Sequence, residues 1–223
     1  MTIKLNISPS REDYLKTIFE LGGDVNNISN KLICRELEIS SASVSEMIAK
    51  LVEGNYVNHV PYKGVRLTSK GIKTAALLIR KHRLWEVFLV NKLNYKINDV
   101  NSEAEILEHV TNRELAIRLE KYLDFPLKCP HGGIIPDVNG DFPEQSNISL
   151  LSLKIGKMAV IDRITDRYDS LEFISDNFLS IGDKIKVIDI NEHLDIIKVF
   201  DLNSNKNLKL KFKICERIFV KEV

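Results

Sequence analysis

Three side chains of types that bind metal ions stand close together near the middle of the chain. Glu105, Glu108 and His109 occupy positions i, i+3 and i+4 of a segment that reads as a helix, and residues at this spacing share one helical face. Ile106, Leu107 and Val110 fall on the opposite side, so we expect that side to pack into a core. The spacing fits a metal site, but taken alone it is more typical of the solvated face of an ordinary amphipathic helix.

Two further segments carry residues of the same chemistry. His82 and Glu86 stand at i and i+4 of a long helical stretch, where they can share a metal ion or simply share a hydrogen bond. Cys129 and His131 flank a proline in a turn-like segment. That segment is interpreted either as a pair of metal ligands or as a bare turn.

Composition narrows the class of protein. The chain has 223 residues, 44% of them apolar, which is enough for one large or two to three small folded domains. No run of about 18 apolar residues could span a bilayer, and the first residues lack the apolar stretch of a signal peptide. The three cysteines are odd in number and far apart, which argues against a disulfide scaffold. These features predict a cytoplasmic protein with no membrane partner.

The first 70 residues are typical of a winged helix-turn-helix. Apolar residues recur at helical spacing in 8–21, 31–37 and 41–53, and the last two segments are joined by a tight turn at 38–40. Residues 55–68 then read as two short strands joined near Lys63 and Gly64, which predicts a wing. The whole chain is nearly neutral, but its first 80 residues hold 11 basic and 8 acidic side chains, a modest excess that suits DNA.

In such a module the third helix lies in the major groove, and its first residues face the base edges. The predicted base readers are Ser41, Ala42, Ser43 and Glu46. The predicted phosphate contacts, which position the protein without reading sequence, are Lys50, Lys63 and Arg66. Winged helices also serve as protein-interaction modules, but small polar residues at the start of the third helix favour DNA.

The rest of the chain divides into a helical and a strand-rich part. Residues 72–95 predict one long helix, and 113–123 predict another with Leu115, Leu119 and Leu123 on one stripe, which suits a contact between two copies of the chain. Residues 137–149 read as a linker. Beyond residue 153, polar and apolar residues alternate in five short segments, which predicts a small β-barrel.

These motifs together resemble the diphtheria toxin repressor family of metal-dependent transcription repressors, and most closely its manganese-responsive branch. The segments that carry the resemblance, in the family's order, are Arg11-Glu-Asp-Tyr-Leu-Lys-Thr-Ile, Ser43-Val-Ser-Glu-Met, Arg80-Lys-His-Arg-Leu-Trp-Glu, Glu105-Ile-Leu-Glu-His-Val and Cys129-Pro-His-Gly. The resemblance implies a mainly α fold with a small β-barrel. Its domains would be a winged helix-turn-helix over 1–73, a helical dimerisation and metal-binding domain over 74–140, and an SH3-like (FeoA-like) domain over 150–223.

The resemblance also implies two metal sites per subunit. The ligands of one would be Asp13, Glu105, Glu108 and His109. The ligands of the other would be Glu86, Cys129, His131 and a carboxylate of the last domain that aligns as Asp166, with Asp162 and Asp169 as alternatives nearby. His82 could belong to either site.

The donor types indicate which metal to expect. By resemblance, Glu105 and Asp13 stand where iron-type members carry a cysteine and a methionine. Carboxylates with one imidazole are hard ligands that suit Mn²⁺ or Fe²⁺, whereas Zn²⁺ outranks Mn²⁺ in intrinsic affinity at most such sites. The expected cofactor is therefore Mn²⁺, with Fe²⁺ also compatible and Zn²⁺ expected to bind in vitro. Cys129 makes the second site more tolerant of zinc and iron.

The implied function is that of a repressor rather than an enzyme. A homodimer would bind palindromic double-stranded operator DNA when metal joins the first helix to the following domain, and it would control genes for manganese or iron uptake. A metalloenzyme is disfavoured, because the sequence has no nucleophile elbow and no glycine-rich phosphate loop. A winged-helix regulator that senses a non-metal effector stays open as the alternative.

Overall fold

The structure is a computed structural model that describes residues 7–143, 145–165 and 179–223. Its helices are α1 (Pro9–Glu20), α2 (Asn30–Leu37), α3 (Ser41–Glu53), α4 (Ser69–Leu93), α5 (Val100–Val110), α6 (Arg113–Tyr122) and α7 (Phe212–Cys215). Its strands are β1 (Val57–Val60), β2 (Gly64–Leu67), β3 (Met158–Ile164), β4 (Lys184–Asn191), β5 (Ile196–Asp201), β6 (Lys206–Lys211) and β7 (Ile218–Glu222). None of the described helices combines the length and apolar character needed to cross a membrane.

These elements form two compact units. The first unit comprises the chain up to His82 together with Ile106–Ile117 and Pro136–Phe142. The second unit comprises Arg83–Glu105, Arg118–Ile135 and Pro143–Val223. The three-domain division inferred from the sequence, 1–73, 74–140 and 150–223, stays a prediction.

The first unit contains the predicted winged helix-turn-helix. Ser29 and Ser40 cap α2 and α3, since their hydroxyl oxygens accept hydrogen bonds from the amides of Leu32 and Ser43. Glu38 adopts a left-handed conformation, with φ of 56°, and thereby closes the tight turn between the two helices. The buried core of this module is built from side chains of all three helices and the wing, including Leu15, Ile18, Ile33, Val44, Leu51 and Val65.

The wing is an antiparallel hairpin of β1 and β2, paired from Val57 opposite Leu67 to Val60 opposite Gly64. Gly64 has φ of +103°, and a Cβ built there would lie 2.1 Å from the carbonyl oxygen of Ile28. This φ is unfavourable for residues with a side chain, and the Cβ would clash with Ile28. The wing therefore depends on glycine at this position.

The second unit contains the predicted SH3-like domain, a five-stranded antiparallel sheet in the order β6-β5-β4-β3-β7. Register shifts between Ile161 and Arg163 in β3, and between Val187 and Asp189 in β4, mark bulges that bend the strands. The inward residues of these strands form one buried core that includes Ile161, Ile185, Val187, Ile197, Val199, Leu210 and Val220.

Two expectations about apolar residues were wrong. Val110 is 74% exposed and Ile106 is 65% exposed, so of the three residues of α5 that were expected to enter a core only Leu107 is half-buried in the single chain. Leu119 on α6 is only 7% exposed, so it cannot belong to an exposed stripe with Leu115. The uncovered apolar side chains of the first unit therefore include Ile106 and Val110 on α5 and Leu115 at the start of α6.

Candidate metal centres and DNA-binding surface

A first cluster of metal-ligand types forms within the first unit, between α1 and α5. Asp13, Glu108 and His109 each offer a ligand atom, and these atoms all lie within 4.8 Å of one another. Nε2 of His109 is 3.0 Å from Oδ1 of Asp13 and 3.8 Å from Oε1 of Glu108. Two hard carboxylates and one borderline imidazole fit a divalent cation such as Mn²⁺ or Fe²⁺.

Glu12, which the sequence did not single out, orients the imidazole of this first cluster. Nδ1 of His109 donates a hydrogen bond of 2.7 Å to Oε2 of Glu12. This bond leaves Nε2 as the nitrogen that faces Asp13 and Glu108. Metal-binding histidines usually donate a hydrogen bond from their other ring nitrogen to a carboxylate, and Glu12 accepts such a bond here.

Glu108 is fully buried and has two partners besides the first cluster. Nδ1 of His82 donates to Oε2 of Glu108 over 2.5 Å, and Nζ of Lys16 donates to the same oxygen over 3.0 Å. Burial alone would raise the pKa of the Glu108 carboxyl, but the hydrogen bond from His82 and the charge of Lys16 outweigh burial and lower the pKa below its ordinary value. The structure therefore places His82 beside the first cluster, and it holds Glu108 as a carboxylate.

Glu105 has a different position from Glu108 and His109. It is exposed on α5, one turn before them, and it is not among the described residues that form the first cluster. Three residues along a helix correspond to an axial rise of about 4.5 Å. A ligand role for Glu105 stays a prediction.

A second cluster, Glu86, Cys129 and His131, forms within the second unit, and all three residues are buried. Their ligand atoms also lie within 4.8 Å of one another, and Nδ1 of His131 is 2.8 Å from Oε1 of Glu86. Nε2 of His131 donates to the carbonyl oxygen of Ile97 over 3.1 Å, which leaves Nδ1 toward the cluster. A carboxylate, a thiol and an imidazole fit a divalent cation, with a softer preference than the first cluster.

A tight turn sets the geometry of the second cluster. The amide of Gly132 donates to the carbonyl of Cys129, and the amide of Cys129 donates to the carbonyl of Gly133, both over 2.9 Å. Gly132 has φ of +81°, and a Cβ there would lie 2.2 Å from the carbonyl oxygen of Asp162. The turn therefore brings Cys129 and His131 together only with glycine at position 132.

The carboxylate expected from the last domain, Asp166, lies outside the described residues, as does its alternative Asp169. The other alternative, Asp162, is engaged elsewhere, because its Oδ1 lies 2.9 Å from the ammonium groups of both Lys128 and Lys221. Burial raises the pKa of Asp162, but the hydrogen bonds from the two lysines outweigh burial and lower it below the ordinary value. These contacts count against Asp162 as a ligand of the second cluster.

The seven predicted DNA-binding residues are all exposed on α3 or the wing: Ser41, Ala42, Ser43, Glu46, Lys50, Lys63 and Arg66. Two of them bind each other, since Nζ of Lys50 donates to Oε1 of Glu46 over 2.6 Å. The guanidinium of Arg66 donates to the carbonyl oxygen of Asp24 over 3.2 Å, so in this structure it also ties the wing to the turn after α1.

Tyr62, at the tip of the wing, was missed by the sequence reasoning. Its side chain is fully exposed, and its backbone has φ of +63°. An aromatic ring held outward by the tip of the wing is placed to contact nucleic acid. Its position directly before Lys63 and Gly64, where the sequence predicts the tip of the wing, could have identified it.

The fold and the two clusters define a winged-helix protein with two candidate metal centres. Family models match the chain over residues 6–65, as the iron dependent repressor N-terminal DNA binding domain, and over residues 68–137, as the iron dependent repressor metal binding and dimerisation domain. The chain belongs to the diphtheria toxin repressor family.

Individual relatives agree with this family. The chain is 29% identical to the diphtheria toxin repressor of Corynebacterium glutamicum over 192 residues, which cover 83% of this chain and 82% of the relative. It is similar in structure to the manganese regulator SloR, with a TM-score of 0.85 at 33% identity over 97% of this chain and 100% of that one. A structure of ScaR with bound Zn²⁺ is matched with the same TM-score and identity, over 96% of this chain and 99% of that one.

Proposed function

We propose that this chain is a metal-dependent repressor in which a divalent cation at the first cluster fixes the winged helix for DNA binding. The observation that carries the proposal is the origin of the ligands: Asp13 lies on α1 of the winged helix, and Glu108 and His109 lie on α5. A bound cation would compensate the charge of the two carboxylates and join α1 to α5. His82 and Glu12 hold Glu108 and His109 in place.

DNA binding then depends on how firmly the recognition helix is held. The start of α3 would read bases through Ser41, Ala42, Ser43 and Glu46, while Lys50, Lys63, Arg66 and Tyr62 would contact the backbone. A dimer must present two such helices to half-sites about 34 Å apart, so fixing each winged helix raises the affinity for a palindromic operator. The exposed apolar side chains of Ile106, Val110 and Leu115 are the surface we assign to contact between protomers.

We assign Mn²⁺ as the cognate metal, with Fe²⁺ compatible and Zn²⁺ able to bind in vitro. The two carboxylates and imidazole of the first cluster favour a hard cation, and the names of SloR and of the iron dependent repressor models point to the same two metals. At the second cluster, Asp166 would complete the set of Glu86, Cys129 and His131. Genes for manganese or iron uptake are the targets that we propose, and such a repressor acts in the cytoplasm.

The proposal is tested by fluorescence anisotropy on DNA from upstream of the protein's own gene and neighbouring transporter genes. We expect tight binding with added Mn²⁺ and weak binding with chelator. The variant Asp13→Asn should no longer bind DNA more tightly when Mn²⁺ is added. The matched control is Asp195→Asn, which changes an exposed residue in the turn between β4 and β5. This control should still bind DNA more tightly with Mn²⁺. Binding that is indifferent to metal in the unaltered protein would overturn the proposal.

One observation bears on the alternative, a regulator that senses an organic effector. The first unit contains a cavity of about 730 Å³. The cavity adjoins the first cluster, since Glu12 and His109 line it too. The rest of its lining includes apolar side chains and the basic side chains of Lys70, Lys73, Arg80, Lys81 and Arg113. An organic anion is the chemistry that this lining suits. If DNA binding proves indifferent to metal, this cavity is the place to look for the effector.

A further inference from the structure

Lys16 places a positive charge directly at the first cluster. It lies on α1, three residues after Asp13, so both side chains project from neighbouring positions on one helical face. Its side chain is only 13% exposed. Nζ of Lys16 lies 3.0 Å from Oε2 and 3.2 Å from Oε1 of Glu108, and 3.1 Å from Nδ1 of His82.

The ammonium group of Lys16 therefore occupies the same carboxylate that a metal ion would use. Glu108 is fully buried, and a buried carboxylate requires a compensating positive charge. Lys16 provides that charge, because its Nζ lies within hydrogen-bond distance of both carboxylate oxygens. An ammonium group has three donors and no acceptor, so Lys16 cannot itself become a ligand of the metal.

We propose that Lys16 is a built-in competitor that sets the affinity of the first cluster for metal. This inference rests on the function proposed above. A divalent cation that binds Glu108 must share this carboxylate with the ammonium group, whose Nζ lies 3.0 Å from Oε2 and 3.2 Å from Oε1. The two positive charges repel each other at such short range in partly buried surroundings. This repulsion lowers the affinity for metal, so the repressor responds only when the metal concentration is high enough to overcome it.

The competitor also changes what joins α1 to α5. In this structure α1 and α5 are joined by the contact of Lys16 with Glu108 and by that of Glu12 with His109; a bound metal would add a link through Asp13, Glu108 and His109. Lys16 and Asp13 both lie on α1 of the winged helix, so competition between the ammonium group and the cation acts directly on the DNA-binding module. Lys16 is thus a residue that determines metal affinity rather than a residue that merely stabilises the fold.

The test measures Mn²⁺ binding by electron paramagnetic resonance, in which the signal of free Mn²⁺ falls as the ion is bound. The parent protein and all variants carry Glu86→Gln and His131→Gln, which remove the carboxylate and the imidazole of the second cluster and leave the first cluster as the main site. Lys16→Met keeps the aliphatic stem and removes the charge, and Lys16→Gln is a second neutral variant should the first fold poorly. Lys16→Arg keeps the charge, and Lys31→Met, on α2, removes an exposed lysine as a matched control.

Removal of a unit positive charge a few ångströms from the ion, in partly buried surroundings, predicts an Mn²⁺ affinity about tenfold higher or more for Lys16→Met and Lys16→Gln. Lys31→Met, at an exposed position, should stay within about twofold of the parent. Lys16→Arg keeps the positive charge, so its Mn²⁺ affinity should not rise to that of the neutral variants. The rise in Tm on addition of Mn²⁺ should also be larger for the neutral variants.

An affinity that is unchanged or weaker in both neutral variants, while the parent binds Mn²⁺, would overturn the role of Lys16 and leave the proposed function standing. A parent protein that binds no Mn²⁺ at the first cluster would overturn the proposed function and this inference together.

Discussion

Replacement of Glu12 by glutamine should weaken metal binding although Glu12 is not itself a ligand. Its Oε2 accepts the 2.7 Å hydrogen bond from Nδ1 of His109. This bond keeps the proton on Nδ1, directs Nε2 toward Asp13 at 3.0 Å, and makes the imidazole a stronger donor to a cation. Glutamine has nearly the same shape, but it lacks the negative charge, and its amide nitrogen can favour the opposite tautomer.

The expected loss follows from the position of this contact. The side chains of both Glu12 and His109 are mostly buried, so solvent screens the bond only weakly. Loss of such an outer partner of a ligand histidine typically reduces metal affinity about 10- to 100-fold, which corresponds to about 1.4 to 2.7 kcal/mol. We therefore predict that Glu12→Gln binds Mn²⁺ at least about tenfold more weakly and needs correspondingly more Mn²⁺ to bind DNA.

The assay is an Mn²⁺ titration followed by electron paramagnetic resonance, with a DNA titration by anisotropy in parallel. Glu20→Gln is the matched control, since Glu20 is an exposed residue on the same helix, α1, and its variant should bind Mn²⁺ like the unaltered protein. Equal affinities of Glu12→Gln and Glu20→Gln for Mn²⁺ would refute the assignment of Nε2 as the nitrogen that binds metal.

Three further predictions concern the second unit. Burial raises the pKa of Cys215 to about 12, so this thiol should stay unreactive toward a disulfide reagent in the native protein at pH 8, and rapid modification would contradict its placement in the core. Gly132→Ala should lower the free energy of unfolding by about 1 to 3 kcal/mol, because Gly132 has a positive φ. This loss would be measured as a lower midpoint of urea unfolding, and an unchanged midpoint would show that the turn tolerates a side chain. The lowered pKa of Asp162 contributes stability that is fully present above the ordinary value of 3.8 and is lost as the pH falls below it. Unfolding at graded acid pH should therefore show a steeper loss of stability for the unaltered protein than for Asp162→Asn, and parallel curves would count against the two lysine contacts.

Much of the fold was readable from the sequence because it rests on local signals. The serines that cap α2 and α3 and the 3.6-residue recurrence in α1 to α6 each act within a few residues. The predicted helices and five strands of the last domain were confirmed, with ends shifted by a few residues. The exposed Val110 and the buried Leu119 were not predictable, because periodicity shows which face is apolar but not whether the same chain covers it.

The candidate site was only partly readable, for a related reason. Glu108 and His109 were found from their spacing, but Asp13 entered only through the resemblance to a family. Glu12 and Lys16 were missed, because charged residues on a helix are normally solvated. Their partners, His109 and Glu108, are 97 and 92 residues away along the chain, and no local pattern connects them.

The most direct test of metal control is the effect of DNA on metal binding. If a cation at Asp13, Glu108 and His109 and the operator favour the same arrangement of the winged helix, each must raise the affinity for the other by the same factor. We predict that an operator duplex identified by anisotropy tightens Mn²⁺ binding about 5- to 150-fold, and that Asp13→Asn abolishes this effect. An Mn²⁺ affinity that is the same with and without the duplex would contradict the coupling between this cluster and DNA.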